Sequence, residues 1–405
     1  MNRDDLRDQV LNAPSSSILC ELATGLGKSK IALDYMNMRL GSRMDYILAN
    51  PDTDCRRPAI LIVIYRKVLK DTWKDEFAKW QYSKFLPFVD FVTYASFPKK
   101  AGVYDMIIFD EAHHFSERCR EAFEDFQTGC TLLLSATVGR NMRYELKGLF
   151  PDLYRCYVGA RTAIEENILP DPKVFLIPLV LDNKVPCCEI IKNKSQKVEL
   201  RITYDQRFNY AKVKNRRIVI SCTQQQYYDD MSSKIAWYKK KMFLEVFKNK
   251  FLQESGVRLK WLSDQKTRFV RQILETYLRD QRTLTFCNGI PQTEELGKYC
   301  VNSKNKSSDE NLIKFNTGRI KHITACNMLD EGVNLTNCRV GVYATLNSSD
   351  RMITQKLGRL LRHPSPILII PYFKGTRDEE IVNKMVEDYN PELVTTITNL
   401  NQLIL

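Results

Sequence analysis

Short apolar runs, each followed by helical sequence, are the feature that most constrains how this chain can fold. In the first 150 residues these runs occupy 17–22, 59–64, 106–109 and 131–134. A strand that is apolar on both faces needs cover on both faces, and a parallel sheet flanked by helices supplies it. The alternation returns after about residue 280, at 283–286, 322–325, 340–343 and 367–370. The pattern predicts an α/β fold with two tandem parallel-sheet domains.

The segment between the two domains lacks this rhythm. It contains an apolar run at 173–181, which we expect to be extended, and residues 224–253 lack Gly and Pro and should be helical. We therefore divide the chain into a first domain at 1–160, a basic and largely helical insertion at 161–270, and a second domain at 271–405.

Most of the net positive charge falls within this middle segment. Residues 191–280 hold 21 Lys and Arg against 9 Asp and Glu, a surplus of 12 in a chain whose net charge is +13. Such a block suits a polyanion, and nucleic acid is the commonest one. The alternative is an ordinary solvated helical face.

Aromatic residues are interleaved with these charges, and they could stack on bases beside phosphate contacts. They are Tyr204, Phe208, Tyr210, Tyr227, Tyr228, Trp237, Tyr238, Phe243 and Phe247. A helical arm or clamp over a nucleic acid is the hypothesis that follows. Because Trp237, Phe243 and Phe247 fall near helical spacing, packing against a core is the open alternative.

Cysteine usage and the absence of long apolar runs bear on the compartment. The 12 cysteines include no C-x-x-C pair, and the chain has only four histidines, so we expect reduced, structural thiols. No apolar run reaches the roughly 20 residues that span a bilayer, and the first residues are charged. We expect no membrane partner, and a cytoplasmic location in a bacterial or phage-infected cell.

The glycine-rich sequence 23–29, ATGLGKS, lies between a predicted strand and a predicted helix. Glycines allow backbone N–H groups to face phosphate oxygens, and the helix N-terminus adds its dipole. Lys28 would meet the β- and γ-phosphates of ATP, and Ser29 would bind Mg²⁺. The other nucleotide-binding candidates are Thr24, Gly25 and Gly27. Leu22 replaces the first glycine of the general P-loop pattern, so a glycine-rich turn without a ligand stays an alternative.

The acidic sequence Asp110-Glu111-Ala112-His113 directly follows the predicted strand 106–109. Ligands of parallel sheets bind at the carboxyl ends of strands. Asp110 would bind Mg²⁺, Glu111 would polarise the attacking water, and His113 would sense the nucleotide state. The alternative is a helix N-terminus that favours carboxylates through its dipole.

With these two motifs in place, the chain resembles the superfamily 2 helicases with a DEAH-type motif II. The resemblance extends to 6–9, Ser135-Ala136-Thr137, 330–334 and the QKLGRLLR sequence at 355–362. It implies that Gln9 reads adenine and that Ser135, Ala136 and Thr137 couple hydrolysis to nucleic-acid contact. It also implies that Gly332 contacts the nucleotide, and that Gln355 and the finger arginines Arg359 and Arg362 act on the transferred phosphoryl group.

The resemblance implies two RecA-like lobes that use ATP and Mg²⁺. The motif wording is most similar to the branch of type III restriction motors and excision-repair helicases, and it favours DNA. Cys326 and Asn334 depart from the usual motif V residues. An RNA helicase of the same fold and a non-hydrolysing nucleic-acid-binding module remain as alternatives.

Nucleic-acid contacts transfer from the family more loosely. The candidates are Tyr65, Arg66, Thr93, Tyr94 and Asn288, which would touch the sugar-phosphate backbone. For both tyrosines the alternative is interior packing. The segment from Gly375 to Glu380 resembles the G-T-x-E sequence of several duplex-DNA members. We expect a DNA helicase or translocase that acts as a monomer, with a nuclease or a replication or repair protein as partner.

Overall fold

Two parallel sheets and one small antiparallel sheet organise the chain. The computed structural model describes residues 1–193, 211–214, 217–302, 304–326, 335, 337–346, 363–387 and 389–403. Both large sheets are wholly parallel over their described strands and carry helices, which confirms the predicted fold class.

The first lobe is a six-stranded sheet in the order β3-β2-β4-β5-β1-β6. Its strands are β1 (Ser17–Leu22), β2 (Ile60–Ile64), β3 (Val89–Thr93), β4 (Gly102–Asp110), β5 (Phe126–Ser135) and β6 (Tyr154–Val158). Its helices are α1 (Arg3–Leu11), α2 (Lys28–Ala49), α3 (Leu69–Lys79), α4 (Glu117–Phe123), α5 (Arg140–Leu149) and α6 (Ala160–Glu165). Because β5 lies between β1 and β4, the loops that follow these three strands meet at one edge.

Both faces of this sheet are buried, as the uniformly apolar strands predict. Along β1, Ile18, Cys20 and Leu22 pack into one cluster, and Leu19 packs into the cluster on the other face. A strand with a period of two delivers successive side chains to opposite faces, so an apolar strand must have a core on each.

The second lobe is a seven-stranded sheet in the order β12-β13-β11-β14-β15-β7-β16. Its strands are β7 (Lys173–Leu179), β11 (Thr283–Phe286), β12 (Cys300–Val301), β13 (His322–Ala325), β14 (Val340–Tyr343), β15 (Ile367–Phe373) and β16 (Val394–Thr396). Its shorter helices are α9 (Ile290–Leu296), α10 (Ser308–Asn316) and α11 (Arg377–Val386).

Strand β7 departs from the domain division that the sequence predicts. It falls within the predicted insertion 161–270, yet it pairs in parallel with β15, from Lys173 beside Ile367 to Leu179 beside Phe373. Its partner strand lies nearly 200 residues away, and a local apolar pattern cannot indicate which sheet a strand joins. The second lobe therefore begins with β7, and the insertion follows that strand.

The insertion combines strands with helices. Strands β8 (Cys188–Asn193), β9 (Ala211–Lys214) and β10 (Arg217–Cys222) form an antiparallel sheet, and α7 (Gln224–Lys239) and α8 (Glu245–Thr276) follow. Helix α8 runs across the predicted boundary at 270, so the insertion and the second lobe share one continuous helix.

Several other features concern the whole described chain. None of the twelve cysteines forms a disulfide bond. Among the described helices, none combines the length and the apolar character that crossing a membrane requires. The described residues contain no group of three or more His, Cys, Asp or Glu that could hold a metal ion.

Candidate active site

The phosphate-binding candidate is the loop between β1 and α2. Gly25 and Gly27 have φ of 97° and 82°, the left-handed region that glycine adopts without strain. A Cβ built on Gly27 would meet only Lys30 Cβ at 4.0 Å, so backbone conformation rather than space requires this glycine. The Lys28 ammonium donates a hydrogen bond of 2.9 Å to the Leu22 carbonyl oxygen, which keeps it against the loop.

The acidic candidates follow β4 at the same edge of the sheet. Trp73 Nε1 donates to Asp110 Oδ2 at 2.9 Å, and the Tyr94 hydroxyl donates to the Asp110 carbonyl oxygen at 2.9 Å. Burial raises the pKa of the Asp110 carboxyl to about 6, and the negative charge of Glu111 acts in the same direction. The Trp73 hydrogen bond and the charge of Lys28 oppose this rise.

Glu111 occupies a constrained position next to Asp110. Its φ of 53° and ψ of 57° lie in the left-handed region, which is uncommon for a residue with a side chain. A short 3-10 turn, Ala112–His114, follows directly. Buried Glu111 Oε2 has no hydrogen-bond partner among the described residues and lies 3.3 Å from His113 Nδ1. A buried acceptor of this kind is suited to receive a hydrogen bond from water.

His113 connects the acidic motif to the end of β5. His113 Nδ1 lies 3.2 Å from Ser135 Oγ, and Ser135 Oγ donates to the Thr137 carbonyl oxygen at 2.9 Å. A hydroxyl has one proton, so His113 Nδ1 is the donor to Ser135. The structure thus joins the DEAH-type motif to Ser135-Ala136-Thr137 by a direct contact, as a coupling role would need.

Glu21 is a site residue that motif matching missed. It is only 4% exposed on β1, beside Ser135 in the sheet register. Its carboxylate accepts from Val138 N at 3.0 Å and from Arg155 Nη2 at 2.7 Å. These contacts hold the segment after Thr137 against the strand that leads into the phosphate-binding loop. The available signal was an acidic residue inside an otherwise apolar strand, where a charge needs a partner.

The first-lobe candidates for nucleic-acid contact divide into exposed and buried residues. Tyr65 is 38% exposed and stacks on His114, with ring centroids 3.7 Å apart and planes at 3°. Arg66 Cζ lies 5.3 Å from the Tyr65 ring centroid. Thr93 Oγ1 donates to Ser96 Oγ at 3.1 Å. Tyr94 is 7% exposed and bonds to Asp110, so the interior alternative holds for this tyrosine and its visible role is to support Asp110.

The second-lobe candidate Asn288 uses its side chain within the protein. Its Nδ2 donates to Asp264 Oδ1 at 3.0 Å and to the Lys260 carbonyl oxygen at 3.2 Å. Both partners belong to α8. Asn288 thus ties β11 to that helix, and a backbone contact to nucleic acid stays a prediction.

Gln9 does not meet the phosphate-binding loop. Its Nε2 lies 3.4 Å from the Tyr154 hydroxyl, and its Oε1 accepts from Cys156 Sγ at 3.4 Å. These residues of β6 lie beside Ile18 and Cys20 in the register, short of the end of β1. The adenine-reading role of Gln9 stays a prediction.

The remaining motif residues lie outside the described residues. They are Gly332, Asn334, Gln355, Arg359 and Arg362. Cys326, which begins motif V, is buried after β13.

The sequence from Gly375 to Glu380 begins α11 and contains a second residue that motif matching missed. Thr376 Oγ1 accepts from Asp378 N at 3.1 Å, which caps the helix. Asp378 Oδ2 lies 2.9 Å from Lys266 Nζ, and their side chains are 1% and 0% exposed. Glu379 Oε2 instead accepts from Gly375 N at 2.8 Å. Asp378, rather than Glu379 or Glu380, is thus the buried acidic residue of the G-T-x-E-like sequence.

Comparison with known proteins finds one family that matches part of the chain. Residues 6–140, a third of the chain, match the family described as the type III restriction enzyme res subunit. No curated protein gives a significant match.

Three solved structures share the fold. Dbp5 of S. cerevisiae, bound to RNA and ADP BeF3, is 12% identical over 98% of this chain and 89% of its own, with a TM-score of 0.56. An HsdR fragment of a type I restriction enzyme from Vibrio vulnificus is 16% identical, and the alignment covers 98% of this chain and 68% of that fragment, with a TM-score of 0.57. The Hef helicase domain of Pyrococcus furiosus is 14% identical, and the alignment covers 94% of this chain and 97% of that domain, with a TM-score of 0.50.

The two sheets and the partial family match agree on the fold. The chain has the fold of a superfamily 2 helicase, and its residues 6–140 are similar to the res subunit family of type III restriction enzymes, in agreement with the resemblance. The similar structures include a protein bound to RNA and a restriction enzyme subunit, so the fold alone does not choose between RNA and DNA.

Proposed function

We propose that this protein hydrolyses ATP and uses the energy to move along or remodel DNA. The observation that carries the proposal is the meeting of three motifs at one edge of the first sheet. The loop before α2, the acidic pair after β4 and the end of β5 follow neighbouring strands in the order β4-β5-β1. His113 contacts Ser135 directly, and the charge of Lys28 lowers the pKa of Asp110.

The residues of this edge divide the work of hydrolysis. Backbone N–H groups of the loop and the Lys28 ammonium would bind the β- and γ-phosphates of ATP. Glu111, with its buried acceptor oxygen, would orient the attacking water and accept its proton. Arg359 and Arg362 of the second lobe are proposed to stabilise charge on the transferred phosphoryl group.

The residues present also fit a magnesium ion. The Ser29 hydroxyl and the Asp110 carboxylate are oxygen ligands, which Mg²⁺ prefers. A nearby cation would favour the ionised form of Asp110, whose pKa burial has raised. When bound, Mg²⁺ would neutralise phosphate charge and hold the phosphates in position.

Coupling to nucleic acid would pass through His113 and Ser135. The hydrogen bond between them links the water-orienting turn to the segment that Glu21 holds against β1. Tyr65 is exposed and stacks on His114, and half-buried Arg66 lies over the Tyr65 ring. These two are the described first-lobe residues best placed to meet the nucleic-acid backbone. Contact there could shift His114, then its neighbour His113, and so reach Glu111.

The preference for DNA rests on the QKLGRLLR wording and on the match to a restriction enzyme family. The experiment measures phosphate release from ATP with single-stranded DNA, duplex DNA, RNA and no nucleic acid. Stimulation by DNA is expected, together with loss of release in Lys28→Ala. Stimulation by RNA alone would overturn the DNA assignment, and the absence of any hydrolysis would overturn the enzyme itself.

A further inference from the structure

The helical arm, residues 224–261, is an antiparallel pair formed by α7 and the first half of α8. Arg258 Nη1 donates to Ser232 Oγ at 3.0 Å, and Lys234 Nζ lies 2.6 Å from Glu254 Oε1. The next contact between the two helices along the pair is between Trp237 and Phe247, whose ring centroids are 5.5 Å apart. The sequence separation of these pairs falls steadily toward residues 240–244, which therefore form the turn of the hairpin.

The arm is rooted in the second lobe. The second half of α8 is buried there, and the Lys266–Asp378 ion pair ties it to α11. Ser263 Oγ donates to the Ala344 carbonyl oxygen at 2.8 Å, next to β14. At about 1.5 Å per residue the 32 residues of α8 extend roughly 48 Å. Since one helix forms both root and arm, the arm should move as the second lobe moves.

The arm tip, residues 237–250, exposes an unusual amount of apolar surface. Phe243 is 81% exposed, Val246 70% and Trp237 48%. Of the 19 exposed large apolar residues described, seven fall between residues 237 and 257. The alternative that these aromatic residues face a core is therefore excluded for Phe243. Exposed apolar clusters of this kind mark binding surfaces.

The charges around the tip select the kind of partner. The tip carries five lysines, Lys239, Lys240, Lys241, Lys248 and Lys250, against the single carboxylate of Glu245. Lys241 Nζ lies 3.9 Å from the Trp237 ring centroid and 5.6 Å from that of Phe247, so positive charge and aromatic faces form one surface. Such a surface complements a polyanion that also presents flat apolar faces.

Nucleic acid with unpaired bases has both properties that this surface requires, negative charge and flat apolar faces. A continuous duplex presents phosphates outward and hides the faces of its bases, so it could satisfy the lysines but not Phe243 or Val246. Unpaired bases expose their faces beside their phosphates. We propose that the arm tip binds unpaired bases at a junction of single-stranded and duplex nucleic acid, through Phe243 and the surrounding lysines. This inference rests on the proposed function, because it supplies the motor with its second contact on the nucleic acid.

The test compares Phe243→Ala with Tyr46→Ala in the full chain. Tyr46 lies in the last turns of α2, away from the phosphate-binding loop, and is 55% exposed, which makes it a matched loss of an exposed aromatic ring. Binding is measured by fluorescence anisotropy to a DNA hairpin with a single-stranded tail and to a covalently closed duplex circle. A 2-aminopurine at the junction reports stacking directly.

We expect Phe243→Ala to weaken junction binding about tenfold, the order of one lost base–aromatic stack. Binding to the closed circle should change less than twofold, the 2-aminopurine response should disappear, and Tyr46→Ala should behave as wild type. Equal weakening on both DNAs, or none on either, would overturn the inference. Phe243-dependent binding to anionic phospholipid vesicles without any junction effect would overturn it as well.

The two proposals can fail separately. If Phe243→Ala binds the junction as wild type does while Lys28-dependent ATP hydrolysis is present, the tip assignment fails and the motor stands. If the wild-type protein neither hydrolyses ATP nor binds nucleic acid, the proposed function fails.

Discussion

The edge of the first sheet and the arm tip hold their polar and aromatic side chains in opposite ways. At the edge, the Asp110 carboxylate, the His113 ring and the Glu21 carboxylate each have fixed hydrogen-bond or ionic partners. At the tip, Phe243 and Val246 are mostly exposed. Bond-breaking chemistry requires atoms held within fractions of an ångström, whereas contact with a moving polymer benefits from surfaces that any base can meet.

The largest expected effect concerns the fixed region. Glu111→Gln should reduce ATP hydrolysis by about 10²- to 10⁴-fold, because an amide cannot accept the proton of the attacking water. Steady-state phosphate release measures this, and binding of a fluorescent ATP analogue should be retained. The matched control is Glu117→Gln, the same substitution at an exposed residue in the first turn of α4. Near-normal hydrolysis in Glu111→Gln would mean that the fixed edge is not the site of the chemistry.

The next effect tests the root that joins the arm to the second lobe. Lys266→Met should lower the free energy of unfolding by about 3–5 kcal/mol, because it leaves the Asp378 carboxylate buried without its partner. Urea unfolding measures this, with the exposed change Lys260→Met as control. The double variant Lys266→Met/Asp378→Leu should recover much of the loss. A single variant as stable as the wild type would show that the arm is not anchored through this pair.

A smaller effect, on the stability of the fold and with a defined pH dependence, is expected at Asp110. Its folded pKa, about 6, exceeds the ordinary value near 3.8, so the folded protein binds this proton more tightly than the unfolded chain does. Ionised Asp110 therefore costs stability, fully above pH 6 and progressively less as the pH falls toward 4. Asp110→Asn should stabilise the fold at pH 8 by about 3 kcal/mol while abolishing hydrolysis. Thermal unfolding at pH 8 and pH 5 measures this change in stability, with Asp71→Asn as the exposed control. A stability gain in Asp110→Asn that is larger at pH 5 than at pH 8 would contradict the prediction.

The smallest expected effect concerns the contact between His113 and Ser135, through which the edge of the first sheet would be coupled to nucleic acid. Ser135→Ala removes the acceptor of the His113 hydrogen bond and should reduce the stimulation of hydrolysis by DNA several-fold, with a smaller change without DNA. Thr128→Ala is the control, since that hydroxyl also bonds to a backbone carbonyl but at the other end of β5. Equal reductions with and without DNA would assign Ser135 to the chemistry rather than to coupling.

What the sequence predicted depends on how local each feature is. The strands β1, β4 and β5 are apolar on both faces, and the motifs that follow them identified Lys28, Asp110 and Ser135 as neighbours at one edge. Parallel strands place their carboxyl ends together, so local patterns sufficed there.

Features set by distant partners could not be predicted in this way. The pairing of β7 with β15, the Lys266–Asp378 ion pair and the bond from Tyr94 to Asp110 all join residues from separate elements. The contact of Gln9 with Tyr154 of β6 was likewise not predictable from its motif. Glu21 was detectable in principle as a charge inside an apolar strand, although its partners Val138 and Arg155 were not.

The most direct test of the central claim measures phosphate release against DNA concentration for the wild type, Lys28→Ala and the exposed control Lys74→Ala. A motor powered at the edge of the first sheet predicts DNA-stimulated release by the wild type and by Lys74→Ala. It predicts none above background by Lys28→Ala, although that variant should still bind DNA. Hydrolysis that survives in Lys28→Ala, or wild-type hydrolysis that no nucleic acid stimulates, would contradict the account.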